Sequence, residues 1–501
     1  MPSVYDPPYP IPYNPIQGTT RAPAGVAKVY NVLDYGADPT GVQDSTGAYL
    51  TAALDAQRKG GGDVYSPPGI FTVQGLPLYS NVRYVGAGRG ATTLQLPVGA
   101  TEHLFHQVVP AGGSLTNAVV SDMTLSANGN TGYLYGALLD ASASSDIVEE
   151  DNIFGRLAFL GFAVGWYHGG NNSGAGPQNY KKTYVDNCSF YKCQFGIGHH
   201  GTYGDTYTKI FTSACTQAGI SSYGAPLSLL SGSWGGPTVG SGPTTVLAIH
   251  TVHVEGLGNY ASGTDAGILL AASAVNASGM EISYTSLNAF TLNNREAGIP
   301  CNVRGITSYG CGGGISLWCS TKAGMAGTVE GIELSNVGMN SGNWPVGYAE
   351  RQYPISVETG AWRLSSGIVG YGSTVPAYNV FAGSGAGDLG SLDIEGITFP
   401  AAGTAFLAKG DTSAAIRISN CPGYNPVGPV TVAVPASGTA TAALPYDSTF
   451  YITQATAASS VAVQGQTIDI PIGGPTAIRV PAGQTLTPTY TTAPTWVVMG
   501  E

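Results

Sequence analysis

The apolar positions of this chain alternate over short stretches and do not form helical stripes. Ser121-Asp122-Met123-Thr124-Leu125, Gly155-Arg156-Leu157-Ala158-Phe159 and Asp186-Asn187-Cys188-Ser189-Phe190 each place apolar side chains two residues apart among Gly, Asn and Ser, the period of a pleated strand. The pattern returns at Val252-His253-Val254, Gly279-Met280-Glu281-Ile282-Ser283, Gly305-Ile306-Thr307-Ser308, Gly331-Ile332-Glu333-Leu334-Ser335 and Gly396-Ile397-Thr398-Phe399. From Val252 to Met280 to Ile306 to Ile332 the steps are 28, 26 and 26 residues, one coil of a strand solenoid each. Larger steps, such as that across residues 216–246, imply loops inserted between strands. The repeat predicts an all-β chain whose residues 28–425 form a right-handed, single-stranded parallel β-helix.

Both ends break the rhythm. Asp44 or Ser45 can N-cap a helix through Ala48, Leu50, Ala53 and Leu54. Gly60-Gly61-Gly62 stops it, and Asp63-Val64-Tyr65 starts a strand that runs to Pro67-Pro68-Gly69. A short amphipathic helix there suits a cap over the first open coil. Before it, residues 1–27 are rich in Pro and Tyr (Tyr5, Pro7, Pro8, Tyr9, Pro10, Pro12, Tyr13, Pro15), an extended arm that depends on a partner for order. After it, residues 426–501 read as Val-, Thr- and Ala-rich strands between Pro-Ala-Ser-Gly, Pro-Tyr-Asp and Pro-Ala-Gly turns. They predict a small antiparallel, sandwich-like domain.

Composition narrows the partners. Only 10% of the 501 residues are charged and 73 are Gly, so backbone pairing and small-residue packing order the chain. A net charge of −11 without Lys/Arg clusters argues against nucleic acid, which needs a basic track. No apolar run is long enough to span a bilayer, and the first residues lack the basic start and apolar core of a secretion signal. Seven Cys without regular spacing read as reduced, buried thiols. Neither Cys188/Cys193 nor Cys311/Cys319 makes half of a zinc site, and neither metal nor cofactor is expected.

The N-terminal motifs carry a resemblance. Asn31-Val32-Leu33-Asp34-Tyr35-Gly36-Ala37, Asp44-Ser45-Thr46, Gly61-Gly62-Asp63-Val64-Tyr65, Pro67-Pro68-Gly69 and Gly86-Ala87-Gly88-Arg89-Gly90 resemble the opening module of the pectate-lyase-like superfamily, over about residues 29–96. That module is common in phage tailspikes and related polysaccharide-active proteins, among which are hydrolases, lyases and non-catalytic binders. Polygalacturonase-like members carry Asn-Thr-Asp, Asp-Asp, Gly-His-Gly and Arg-Ile-Lys motifs, and calcium-dependent pectate lyases a Trp-Ile-Asp-His element. None is present here, and His199-His200-Gly201 is the nearest echo. The resemblance therefore transfers no catalytic residue. The C-terminal segment resembles domains at the tips of phage tail proteins.

Candidate chemistry follows from the alternation. With Met280 and Ile282 inward, Glu281 and Ser283 face out; likewise His253 and Glu255, and Glu333. His253, Glu281, Thr307 and Glu333 then share one ladder, and Glu255 the neighbouring column with Ser283. At about 4.8 Å per coil, Glu281 and Glu333 stand roughly 10 Å apart at their backbones, within side-chain reach of an inverting glycosidase's spacing. Glu255 and Glu281, one coil apart, could sit closer. A second cluster, the Gly-rich bend with His199, His200, Tyr203 and Asp205, could line a sugar subsite with Asp205 as acid or base. Trp166, Tyr167, Trp234 and Trp318 offer flat faces for sugar rings.

Together these features predict a phage tailspike or tail-fibre protein, homotrimeric, that binds host-surface polysaccharide and depolymerises it, by paired carboxylates before β-elimination. Residues 1–27 would attach it to a virion tail or baseplate, after assembly in the host cytoplasm. The alternatives are a non-catalytic receptor-binding spike and a secreted, extracellular bacterial enzyme.

Overall fold

The computed structural model describes residues 28–107, 113–140, 148–169, 181–200, 205–221, 247–256, 266–272, 275–294, 300–319, 325–338, 353–371, 378–383, 389–400, 405–408, 415–422, 428–444, 447–453, 459–481 and 483–500. Residues 1–27, and with them the attachment arm, lie outside these. The cap helix spans Thr46–Arg58 after Ser45, and the Thr46 amide donates to Asp44 Oδ1 at 2.9 Å. It buries Tyr49, Ala52, Ala53 and Ala56 against the first coil, and Gly60, at φ +86°, ends it.

From Val29 to Ser419 the chain winds through two long parallel sheets, one of 19 strands and one of 12. This is a parallel β-helix. Val252 pairs with Met280, Met280 with Ile306 and Ile306 with Ile332, so the 28- and 26-residue steps are the coil repeat. Inside, aromatic and aliphatic side chains stack coil on coil. Phe159 lies on Phe190 with centroids 4.6 Å apart, and Trp166 packs edge-on against Phe154 and Tyr207. All seven cysteines are buried and none is disulfide-bonded, as expected, and burial pushes Cys188 and Cys193 up to about 12.

One column decides the shape of the larger sheet. Asp122, Arg156, Asn187, Lys209, Thr251, Gly279, Gly305, Gly331, Ser366 and Gly396 are in register and all have φ between +51° and +71°. From Asp122 onward, a left-handed residue in each coil bends the sheet into a first limb before the column and a second limb after it. Side-chain alternation restarts at the bend. Ala277 points in and Ser278 out, and beyond Gly279, Met280 points in and Glu281 out.

A second glycine column, Gly136, Gly165, Gly196, Gly219, Gly267 and Gly314, opens the strands of the smaller sheet. A Cβ on Gly165 would lie 2.4 Å from the Phe190 ring, and one on Gly314 2.0 Å from the Pro354 carbonyl. Ala289 stands between Gly267 and Gly314 in the same register, so the column is small-residue rather than strictly Gly, and at these glycines neighbouring coils approach too closely for a side chain.

At the C-terminus, Gly428–Val430, Ser448–Thr453, Pro475–Val480 and Thr495–Gly500 form one antiparallel sheet, and Ser459–Val463, Gln466–Ile470 and Leu486–Thr489 another. Phe450, Ile452, Val461, Val463, Ile470, Ile478, Val480, Leu486 and Val498, drawn from both sheets, share a core separate from that of the β-helix.

Candidate active site on the second limb

The outer surface of the second limb carries the predicted ladder. In register, one residue per coil, stand Ser189, Phe211, His253, Glu281, Thr307, Glu333 and Ile368. Two residues further along each strand runs a second column: Tyr191, Ser213, Glu255, Ser283, Tyr309 and Ser335. Inward neighbours such as Ile210, Val252, Val254, Met280, Ile282, Ile306 and Ile332 are buried, which fixes these columns outward.

His253 organises the middle of this face. Its ring stacks on Phe211 at 5.0 Å and 6°, and its Nδ1 lies 3.2 Å from Glu281 Oε2. The contact becomes an ion pair when the imidazole is protonated. Glu255 takes a hydrogen bond from the Ser213 hydroxyl at 2.8 Å, which separates its role from that of Glu281: each of the two is tied to its own neighbour. Thr307 occupies the coil between Glu281 and Glu333. Glu281 is 66% exposed.

Exposed rings surround these carboxylates, and sequence reading singled out none of them. Tyr191, Phe211, Tyr284 and Tyr309 are 44%, 42%, 43% and 48% exposed. Tyr284 and Tyr309 meet edge-on at 5.5 Å, and Lys192 Nζ lies 5.1 Å from the Tyr191 ring centre. The signal was available: alternation from buried Ile210 and Ser308 already turns Phe211 and Tyr309 outward.

The second predicted cluster needs correcting. Asp205 is fully buried inside the β-helix, where His168 Nδ1 lies 2.7 Å and His199 Nε2 3.2 Å from its Oδ2. The Thr183 amide donates to Oδ1 at 3.1 Å, and Tyr207 closes the group from below at 3.5 Å. Burial alone would push this carboxyl up, but His168 and His199 outweigh it and hold Asp205 well below the ordinary carboxylate range. Trp166, also fully buried, packs on His168 and Tyr207. Asp205, His199 and Trp166 thus belong to the interior, out of reach of a polymer on the surface. Period-two alternation carries them there, because His199 follows the inward Ile197 and His168 the inward Trp166.

Tyr167 and Trp318 face outward on the smaller sheet, both half-buried. Tyr167 lies 5.4 Å from Tyr135, and Trp318 Nε1 donates to Ser316 Oγ at 3.2 Å. Neither joins the second-limb face. For His200 the backbone position, opposite Gly169, is fixed; Tyr203 and Trp234 lie outside the described residues. Among the described residues, no three His, Cys, Asp or Glu side chains are arranged to hold a metal ion, and no helix is long and apolar enough to cross a membrane.

Comparison with known proteins agrees with the N-terminal resemblance. Residues 29–104 match the family model described as rhamnogalacturonase A/epimerase, pectate lyase-like. The chain is 41% identical over 108 residues to mannuronan C5-epimerase AlgE1 of Azotobacter vinelandii, a match covering 20% of this chain and 8% of that protein. It is 41% identical over 109 residues to alginate lyase 7 of the same organism, covering 20% and 13%. This chain thus spans a small part of these relatives' length.

Among solved structures, the A-module of A. vinelandii mannuronan C-5 epimerase AlgE4 overlays with TM-score 0.46 and 15% identity, over 76% of this chain and 98% of that one. The tailspike gp49 of Acinetobacter baumannii bacteriophage Fri1, a capsular polysaccharide depolymerase, overlays with TM-score 0.40 and 12% identity, over 94% and 85%.

Proposed function

We propose that this protein binds a polysaccharide along the second limb of its β-helix and cleaves it there by hydrolysis. The observation that carries this reading is the interleaving, in register, of exposed rings (Tyr191, Phe211, Tyr309) with Glu255, Glu281 and Glu333, with Tyr284 beside Tyr309 at the strand end. Rings cover the apolar faces of sugars, and carboxylates accept from sugar hydroxyls. The pectate-lyase-like match over residues 29–104, and relatives named for mannuronan epimerisation and alginate cleavage, support polysaccharide as the substrate class.

In the hydrolytic reading, Glu281 and Glu333, about 10 Å apart at their backbones, divide the work of acid and base across a scissile bond over Thr307. His253 steers the Glu281 carboxylate through its 3.2 Å contact. We extend the proposal to a homotrimeric, virion-borne phage tail spike that recognises host-surface polysaccharide and is attached through residues 1–27. Its support is the Pro/Tyr-rich arm and the antiparallel module after the β-helix. A second reading, a binder without catalysis, draws on the 66% exposure of Glu281, since water is not excluded there.

The test is a combined assay on host capsule or cell-wall polysaccharide, reading reducing ends and absorbance at 235 nm together. Reducing ends without absorbance support hydrolysis at the ladder. Reducing ends with absorbance replace it with β-elimination. Binding without release leaves the non-catalytic spike.

A further inference from the structure

Resting on that reading, we infer that the polysaccharide carries no anionic groups: the second limb fits an uncharged glycan, not a polyuronate. Glu255, Glu281 and Glu333 lie on three of four successive coils of this face. The partners of the first two are a hydroxyl, Ser213, and an imidazole, His253. Among the described residues from Leu247 to Val337, Arg304 alone is Lys or Arg. It stands on the first limb, 3.5 Å from Glu330. Lys192 and Lys209 flank only the lower end of the face, Lys192 over Tyr191 and Lys209 in the bend column.

Polyuronate recognition requires the opposite arrangement. A carboxylate on every sugar needs Arg or Lys forks along the track, and here it would meet like charges coil after coil, on a chain of net charge −11. A neutral sugar offers apolar faces to Tyr284, Tyr309 and Phe211, and hydroxyl donors to Glu255, Glu281 and Glu333. The family-model match covers residues 29–104 only, short of every residue on this face, so that match does not set the charge of the substrate.

The experiment is affinity electrophoresis of the full chain through gels holding one polymer each. The neutral probes are a mannan, a β-glucan and a galactan; the anionic ones are polymannuronate and polygalacturonate. Tyr309→Ala and Phe211→Ala run alongside. The expected result is retention by at least one neutral polymer, about tenfold weaker in each variant and insensitive to added salt, with no retention by either polyuronate. Polyuronate retention that both variants weaken overturns the uncharged substrate while leaving the second limb as the glycan site. Neutral retention that neither variant changes moves the site off this limb and overturns the inference. No retention in any gel counts against both the inference and the proposed function.

Discussion

Glu330 and Glu333 lie three residues apart in one strand, Met325–Val337, yet the bend at Gly331 puts them on different limbs. Glu330, on the first limb, sits 3.5 Å from Arg304. Glu333, on the second, has Thr307 and Ile368 as its ladder neighbours. The same division holds along the sheet. On the first limb carboxylates mostly meet guanidinium groups: Asp63 with Arg83 at 2.6 Å, Asp393 and Glu395 with Arg363 at 4.0 and 3.0 Å, and, at the bend, Asp122 with Arg156 at 2.5 Å, while Asp186 takes the Thr208 hydroxyl at 2.6 Å. On the second limb they stand among exposed rings and hydroxyls. Inside, the order reverses: the first limb holds the polar column Asn152, Thr183 and Asp205, the second a mostly apolar one. A left-handed residue per coil thus separates a self-satisfied surface from one that can engage a ligand.

The widest separation is expected in catalysis. Glu333→Gln lowers kcat on the cleaved polysaccharide by ~10²–10⁴ with an unchanged melting temperature, whereas Glu330→Gln leaves kcat within about twofold. Equal losses in the two variants would erase the distinction between the limbs. Glu281→Gln should match Glu333→Gln, and a loss in Glu281→Gln alone would move the pair elsewhere.

Next in size is the interior of the first limb. Asp205→Asn leaves His168 and His199 buried without their carboxylate, and thermal unfolding should show a loss of about 3–5 kcal/mol. Because Asp205 is held below its unfolded value near 3.9, its contribution is present above that pH and lost as pH falls below it. The wild type should therefore lose stability on acidification below about pH 4 more steeply than Asp205→Asn. Parallel acid unfolding of the two proteins would show that the cluster is not what holds these coils.

How much of this division could be read in the sequence differs between the limbs. The second limb was legible because its apolar residues alternate strictly from Val252 through Leu334 and the coil step stays near 26 residues, so register followed from counting. The bend was half-visible: Gly279, Gly305, Gly331 and Gly396 stood out as glycines before each strand, but Arg156, Lys209 and Thr251 take the same φ without any local signal. Asp205 was misjudged because its bend is Gly- and His-rich, a composition typical of surfaces. Its burial rests on His168, 37 residues away, and no local pattern encodes that pairing. Trp166 was grouped with Tyr167 as a sugar-facing ring, but adjacent residues of a strand point to opposite faces, and Trp166 takes the inner one.

A smaller effect sharpens the contrast between aromatic residues. Tyr309→Ala removes an exposed ring that meets Tyr284 edge-on at 5.5 Å, so glycan binding should weaken about tenfold, near 1.4 kcal/mol, with stability nearly unchanged. Tyr184→Ala, on the outer face of the first limb beside Ile153 and Thr206, should leave binding unaltered. Titration of both variants with the retained polymer reads the difference directly.

The smallest effect concerns the ion pairs that make the first limb self-satisfied. Arg363 reaches Glu395 at 3.0 Å and Asp393 at 4.0 Å, but its side chain is 50% exposed and its partners 42% and 37%. Water and salt screen pairs of this kind, and holding the long side chains in place costs entropy, which leaves a net contribution of about 0.5 kcal/mol. Arg363→Ala should therefore shift the unfolding midpoint only slightly, the shift should shrink further as salt is raised, and glycan binding should not change. A loss of several kcal/mol would mean that the pairing organises these coils and does more than neutralise their surface. The limbs would then differ in how they fold as well as in what they can bind.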